Sequence, residues 1–339
     1  MSNILIVGAG LSGSVIAREC AQSGHDVTII EKRNHIGGNC FDFVNEHNIL
    51  VHLYGPHLFH TSDLKVVDWL SRFTEWTPYK HKVKAKLADG QLVTLPVNRE
   101  TVQIVGRDNI IDTFYRPYTK KMWNKDIEEL DPSILSRVPV RNDDNEFYFP
   151  NDSFQAMPSL GYTKLFENIL SHKNINIHLN TSFTEALVDQ FDFIFNSMPI
   201  DEYYNYSLGK LPYRSIKFHT YSLQIPNVFP VATINFTHEG PYTRVTEWKN
   251  IPNSGSFNPS KYVTTLTVEE PCADYENNNE PFYPVKDING INRRKYEQYA
   301  SMTPENMIFI GRCGTYSYFD MDKAVRSALD ISSAFLVKS

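Results

Sequence analysis

The stretch NILIVGAGLSGSVIARECAQSGHDVTIIEK, residues 3–32, constrains this chain more than any other part of it. It reads as an apolar strand at Ile4–Val7, a glycine-rich turn, a helix through Val15, Ile16 and Cys20, and a second strand that closes on Glu31. Gly8, Gly10 and Gly13 stand at GxGxxG spacing, each for its own reason. Gly8 permits the tight turn, Gly10 lets a pyrophosphate approach the backbone, and Gly13 lets the helix lie close to the sheet. The helix N-terminus then faces the negative charge. Glu31 stands 18 positions after Gly13, where an acid accepts hydrogen bonds from the ribose hydroxyls of an adenine dinucleotide. The fold class this predicts is α/β, with a Rossmann-type dinucleotide-binding domain.

The segment beyond Glu31 favours FAD over NAD. EKRNHIGGN places Gly37 and Gly38 shortly after that acid, a second glycine turn that in many flavoproteins brings backbone against the flavin side of the cofactor. Near the C-terminus, NMIFIGRCGTYSYFDMDKAVRSAL gives a strand at Met307–Ile310, then Gly311 and Arg312, then a helix opening near Asp320 with Ala324, Ala328 and Leu329 on its apolar face. A helix N-terminus there can stabilise negative charge on a reduced flavin. The strand Phe191–Ser197 is expected in the same sheet, so the FAD-binding domain is discontinuous, over residues 1–61, 185–210 and 300–339.

Two insertions separate these pieces. SDLKVVDWLSRFTEW and ETVQIVGRDNIIDTFYRPYTKKMW have helical spacing, with a break expected at Pro117, and predict a small helical domain over 62–80 and 98–136. KVKAKLADGQLVTLPV, with Asp89-Gly90 as a hairpin signal, and the region from SIKFHTYSLQI to KYVTTLTVEE alternate apolar and polar residues. They predict an antiparallel β-sheet domain over 81–97, 137–184 and 211–299.

Composition excludes several classes. A formal net charge of −6 with no long basic cluster argues against a nucleic-acid partner. No apolar run approaches the ~20 residues that span a bilayer, and MSNILIVGAG lacks a basic n-region, so the expectation is a cytoplasmic protein without membrane insertion. Cys20, Cys40, Cys272 and Cys313 form no close pair and read as buried, reduced thiols. In LYGPHLFHT, His57 and His60 could be half a metal site, an acid/base couple or the wall of a cofactor pocket. HxxH supplies too few ligands for a metal, and no His, Cys or carboxylate cluster flanks it.

EKRNHIGGN, YGPHLFHT, VPVR, GYTKL, INFT, PYTRVTEWK, EPFYPV and GRCGTYSYFDM occur in the order and approximate spacing of the UDP-galactopyranose mutase family, which the chain resembles over nearly its whole length. The resemblance implies noncovalent FAD, active when reduced, and interconversion of UDP-galactopyranose with UDP-galactofuranose without net redox. In the family, the reduced flavin N5 attacks the anomeric carbon and forms a sugar adduct as UDP departs. Arg141 and Arg244 are then implied at the diphosphate, with Tyr283 and Tyr318 donating phenolic hydrogen bonds. Tyr118 and Trp123 match the uracil-binding segment. His57 and His60 line the flavin pocket, and Arg141, His57, His60, Tyr318 and Asp320 are the catalytic candidates. The cofactor set is Gly8, Gly10, Gly13, Glu31, Lys32, Gly38, Asn39, His57, Leu58, Gly311, Arg312, Asp320 and Met321.

Two departures from the family pattern stand out. The segment from Asn98 to Tyr118 is shorter than in bacterial members, where the helical domain carries the homodimer contact and part of the substrate lid. TLTVEE has Val268 or Glu269 where the family usually puts another phosphate-binding arginine, and Lys249 is the expected substitute cation. Three alternatives remain: a mutase for a related sugar nucleotide such as UDP-N-acetylgalactosamine, an amine-oxidase-like flavin oxidoreductase, and a noncatalytic sugar-nucleotide binder.

Overall fold

A computed structural model describes residues 1–130, 140–252, 257–278 and 280–337. The end of the expected helical segment 98–136, from 131 onward, therefore lies outside the described residues, as do Val138 and Pro139 of VPVR. A five-stranded sheet carries the nucleotide-binding signature, in the order Ile175–His178, Asp26–Ile30, Asn3–Val7, Phe193–Asn196, Met307–Phe309. All its pairings are parallel. Parallel strands need crossovers that cover both faces of the sheet, which is why these strands are short apolar runs. Leu11–Gln22 and the C-terminal helix Met321–Leu336 pack on one face, with Ile4, Ile6, Val15, Ile16, Val325 and Ala328 buried in one core.

The second sheet has seven strands in the order Tyr283–Pro284, Tyr213–Leu223, Thr264–Ala273, Arg244–Glu247, Thr233–Phe236, Val83–Lys86, Leu92–Leu95. Five of its six pairings are antiparallel, as expected, and one is parallel. Thr233–Phe236 runs parallel to Val83–Lys86, because a hairpin from the first insertion joins a meander from the second. The expected Asp89-Gly90 hairpin forms, with Gly90 at φ +91°, a conformation glycine adopts freely.

The segment boundaries also differ from expectation. Part of the segment expected with the sheet domain lies elsewhere: Gly161–Leu170 buries Tyr162, Leu165, Phe166 and Ile169 in the main core, and Ile175–His178 forms an edge of the parallel sheet. Leu64–Leu70, expected in the helical domain, buries Val66, Val67, Trp69 and Leu70 in that same core. Its apolar face is wide enough to need the C-terminal helix as a partner. The break expected at Pro117 takes the form of a distortion: Ile111–Tyr115 is a π-helical turn that runs directly into the helix Arg116–Trp123. The chain leaves the helical conformation at Gly106, φ +84°, after the helix Arg99–Val105, and Pro117, one residue into Arg116–Trp123, supplies no N–H to the wide turn that precedes it.

Candidate active site

The strand Asn3–Val7 delivers Gly8 at φ +98°, and a Cβ there would lie 2.1 Å from Ser197 Oγ. One at Gly13 would lie 2.0 Å from the Gly8 carbonyl oxygen. Packing therefore dictates both glycines. Gly10 is different: its nearest neighbour is the Gly38 Cα at 3.7 Å, so its outer side is open. It begins the helix Leu11–Gln22 with no side-chain cap, which leaves first-turn N–H groups for a ligand. Gly38, φ +55°, closes on Gly10, and Gly37 N–H donates to the Ala9 carbonyl at 2.9 Å. Gly311, φ +69°, lies against Ser12. Three glycine turns from distant parts of the chain thus meet at one helix N-terminus.

Glu31 is 6% exposed, and its two oxygens accept the N–H groups of Ala9 and Arg33, each at 2.9 Å. A carboxylate has about four acceptor positions, so capacity remains for ribose hydroxyls. Lys32 and Arg33 both pair with Glu280, at 3.5 and 2.8 Å, and Arg33 also donates to Asn39 Oδ1 at 3.0 Å. Met321 touches Cys40 sulfur to sulfur at 3.8 Å, which fixes the start of the C-terminal helix beside the Gly37–Gly38 turn. Asp320 is the N-cap residue of that helix, and Leu58 packs on the main core. A cradle that a Cβ would fill, an uncapped helix end and a buried ribose-side acid fit an adenine dinucleotide.

The two histidines of GPHLFH part company. His57 N–H donates to His52 Nδ1 at 3.1 Å, its own Nδ1 meets the Gly55 carbonyl at 2.9 Å, and burial pushes its pKa down to about 3. His60 projects from the opposite side of its strand. Its Nδ1 lies 2.6 Å from Asp152 Oδ2 and its ring stacks on Phe149, centroids 3.5 Å apart. No group of three or more His, Cys, Asp or Glu side chains is placed to hold a metal among the described residues.

The implied phosphate arginines also behave differently from one another. Arg141 does not present its guanidinium as expected: it donates to the carbonyls of Phe147, Asn145 and Pro96 and sits 3.6 Å from Asp143, bracing the loop 142–147. Arg312 donates to the carbonyls of Phe282 and Phe319 and lies 5.0 and 4.9 Å from the ring centres of Tyr283 and Tyr318. Those rings stack at 5.7 Å, so Arg312 serves as their platform. Arg244 meets only Glu269, Nε to Oε1 at 2.8 Å, with its side chain 28% exposed. Among the described residues nothing else bonds its guanidinium.

Arg244 is the electrostatic centre of the site. Its charge is felt at His57, His81, Tyr118 and Tyr283. Burial pushes Tyr118 up to about 12, with Arg244 pulling it back, and raises Tyr283 as well. Tyr118 is therefore brought to Arg244, whereas Trp123, at the far end of its helix, is half-buried and makes no ring contact among the described residues. Lys249 does not fill the gap in TLTVEE. The strand Arg244–Glu247 ends before it, and its ammonium donates to the Pro226 carbonyl at 2.9 Å. Val268 pairs with His219 and Val245 and so faces away from Glu269's side of the sheet. The sequence reading missed Asp152 and His81, since lone residues in KHK and PNDS carry no spacing signal.

The fold and site define a dinucleotide-binding protein with an arginine–glutamate pair on an adjoining sheet. A model of the NAD(P)-binding Rossmann-like domain matches residues 6–73, and one of the UDP-galactopyranose mutase family matches 113–318. A probable UDP-galactopyranose mutase of Klebsiella pneumoniae is 34% identical, covering 98% of this chain and 94% of the relative. A dTDP-fucopyranose mutase of Escherichia coli is 33% identical over 99% of both. A crystal structure of reduced UDP-galactopyranose mutase shares the fold, at TM-score 0.76 and 16% identity, over 100% of this chain and 96% of that one. The chain belongs to the UDP-galactopyranose mutase family. Its alignment with the Klebsiella relative runs over 374 positions against a chain of 339, so the relative carries segments that this chain lacks.

Proposed function

We propose that the protein is a FAD-dependent isomerase that interconverts UDP-galactopyranose and UDP-galactofuranose with no net oxidation. The observation that carries this reading is Arg244: a guanidinium with donors to spare, whose charge reaches Tyr118, Tyr283 and His57, in a chain that also carries the glycine turns that suit a dinucleotide. Flavin, when bound and reduced, supplies a nucleophile for the anomeric carbon. The chain's own part is to hold the substrate. Arg244 meets charge on the departing diphosphate, where a fixed cation needs no reorganisation. Tyr283 and Tyr318, held parallel by Arg312, present phenolic donors to it. Tyr118 flanks the nucleotide, and His57, neutral at pH 7, closes the flavin side without adding charge.

The deciding experiment incubates dithionite-reduced protein with UDP-galactofuranose and follows UDP-galactopyranose by chromatography. Formation of the pyranose with no consumption of reductant supports the proposal, and an oxidised sugar product refutes it. A second reading, a mutase for another nucleotide sugar, is favoured by the dTDP-fucopyranose mutase relative and is tested by offering dTDP-fucopyranose in the same assay. Action in the cytosol, on a nucleotide sugar dissolved there, is part of the proposal. No helix among the described residues is long and apolar enough to cross a membrane.

A further inference from the structure

Glu269 is the charged group with the least evident structural role. It is 1% exposed, on the strand Thr264–Ala273, within a cross-strand row Phe218, Glu269, Arg244, Asn235 that shares one face of the sheet. Its Oε1 touches Arg244 and lies 3.2 Å from where a Cβ on Gly55 would stand, so the Gly55-Pro56 turn roofs it. Oε1 and Arg244 Nε, though 2.8 Å apart, are both buried without an aligned hydrogen bond, and no donor among the described residues reaches Oε2. The next polar atom along the row, Asn235 Oδ1, is also buried without a donor.

Structural carboxylates in this protein look different. Glu247, 0% exposed, accepts from the N–H groups of Val228 and Phe229, Asn250 Nδ2 and Thr264 Oγ1. Asp42 accepts the N–H groups of Tyr162 and Thr163 at the start of a helix. In both, each oxygen has at least one donor, as burial of an ionised group demands. Glu269 has no such set of donors: it is held by the charge of Arg244 and its oxygens lack an aligned hydrogen bond among the described residues.

We propose that Glu269 is a specificity-determining residue whose Oε2 accepts a hydrogen bond from a hydroxyl of the substrate's sugar, while the outer Arg244 donors face the diphosphate. The inference rests on the nucleotide-sugar reading of the site. A phosphate has no donor for Glu269 at neutral pH and is repelled by it, whereas a sugar hydroxyl is a neutral donor.

The test uses the flavin-loaded protein and calorimetric titration with UDP and with UDP-galactose. Glu269→Gln should bind UDP-galactose at least about ten-fold more weakly, because a site built around a hydroxyl loses its charged acceptor. Its affinity for UDP should be unchanged or tighter, since a repelling charge has gone. Glu269→Asp keeps the charge beside Arg244 and withdraws the oxygens by one methylene, so it should show the same selective loss. On the wild type, UDP-galactose deoxygenated at one position in turn should reveal one hydroxyl whose removal matches the loss in Glu269→Gln. That removal should have no effect in the variant. Parallel loss of UDP and UDP-galactose would show that Glu269 only holds Arg244, and unchanged UDP-galactose affinity would show no sugar contact; either overturns the proposal. If Glu269→Gln fails to retain flavin, Glu269→Asp and the wild-type deoxygenation series decide. A wild type that binds no UDP at all defeats the nucleotide-sugar reading instead.

Discussion

Gly10→Ala and Gly13→Ala separate what the glycine turn does for folding from what it does for a cofactor. At Gly13 a Cβ would sit 2.0 Å from the Gly8 carbonyl oxygen, against an ordinary contact of 3.4 Å or more, so the helix Leu11–Gln22 must retreat by about 1.4 Å from a backbone atom that cannot rotate away. Overpacking typically costs about 1–3 kcal/mol, and a rigid obstacle puts this case at the upper end. At Gly10 the nearest atom is 3.7 Å away and φ is −81°, so alanine fits, with a loss of about 1 kcal/mol at most from a poorer N-cap. What it obstructs is the open side of the turn. If a pyrophosphate loses two charge-assisted bonds to first-turn N–H groups, at about 1.5 kcal/mol or more each, FAD affinity falls by about a hundred-fold. The assay pairs thermal melts of the flavin-free proteins with FAD titration by fluorescence quenching. Gly13→Ala should melt several degrees lower; Gly10→Ala should melt close to wild type yet bind FAD poorly. A Gly10→Ala protein with wild-type FAD affinity would refute the placement of the pyrophosphate.

Arg244→Lys keeps the charge but loses the planar fork, and UDP affinity measured by titration should fall about ten-fold or more; an unchanged value would remove Arg244 from the diphosphate site. Lys249→Ala should leave UDP binding unchanged, because its ammonium is held by the Pro226 carbonyl, and a marked loss would contradict that placement. Burial holds His52 and His81 at about 3, below their ordinary 6.5, so the unfolded chain binds more protons between these values. Stability is then complete above about pH 6.5 and lost as pH falls, by about 2 kcal/mol per imidazole at pH 5. Urea midpoints at pH 7 and pH 5 should converge in His81→Gln relative to wild type, and equal pH sensitivity in both would sink the assignment.

The parallel sheet was legible because its glycines are dictated by contacts that any such unit must make: Gly8 against Ser197, Gly13 against Gly8. Segment membership was harder to read. The apolar face of Leu64–Leu70 says that the helix is buried, not which core buries it, and Ile175–His178 has no local feature that names its neighbour Asp26–Ile30. Pro117 located an irregularity but not its form, because the spacing of apolar residues does not show that the turn before it, Ile111–Tyr115, is π-helical. At the site, motifs identified the residue types but not where their donors point. VPVR finds Arg141, but nothing local shows that its guanidinium meets the carbonyls of Asn145 and Phe147.

Under the proposed function, that distinction decides how the site meets a doubly charged nucleotide. An arginine whose donors are taken by carbonyls keeps its charge but loses its fork, so it raises the local potential without grasping a phosphate. Arg141 and Arg312 are of this kind: one braces the loop 142–147, the other carries the Tyr283–Tyr318 stack. Arg244 alone of these three contacts no carbonyl among the described residues, and its charge is balanced at close range by Glu269. A bare cation there would attract any anion; a paired one favours a ligand that offers a phosphate to the guanidinium and a neutral donor to the carboxylate. Selectivity for a glycosylated diphosphate over free phosphate then comes from the pair, at the expense of part of the raw attraction that a lone arginine would exert.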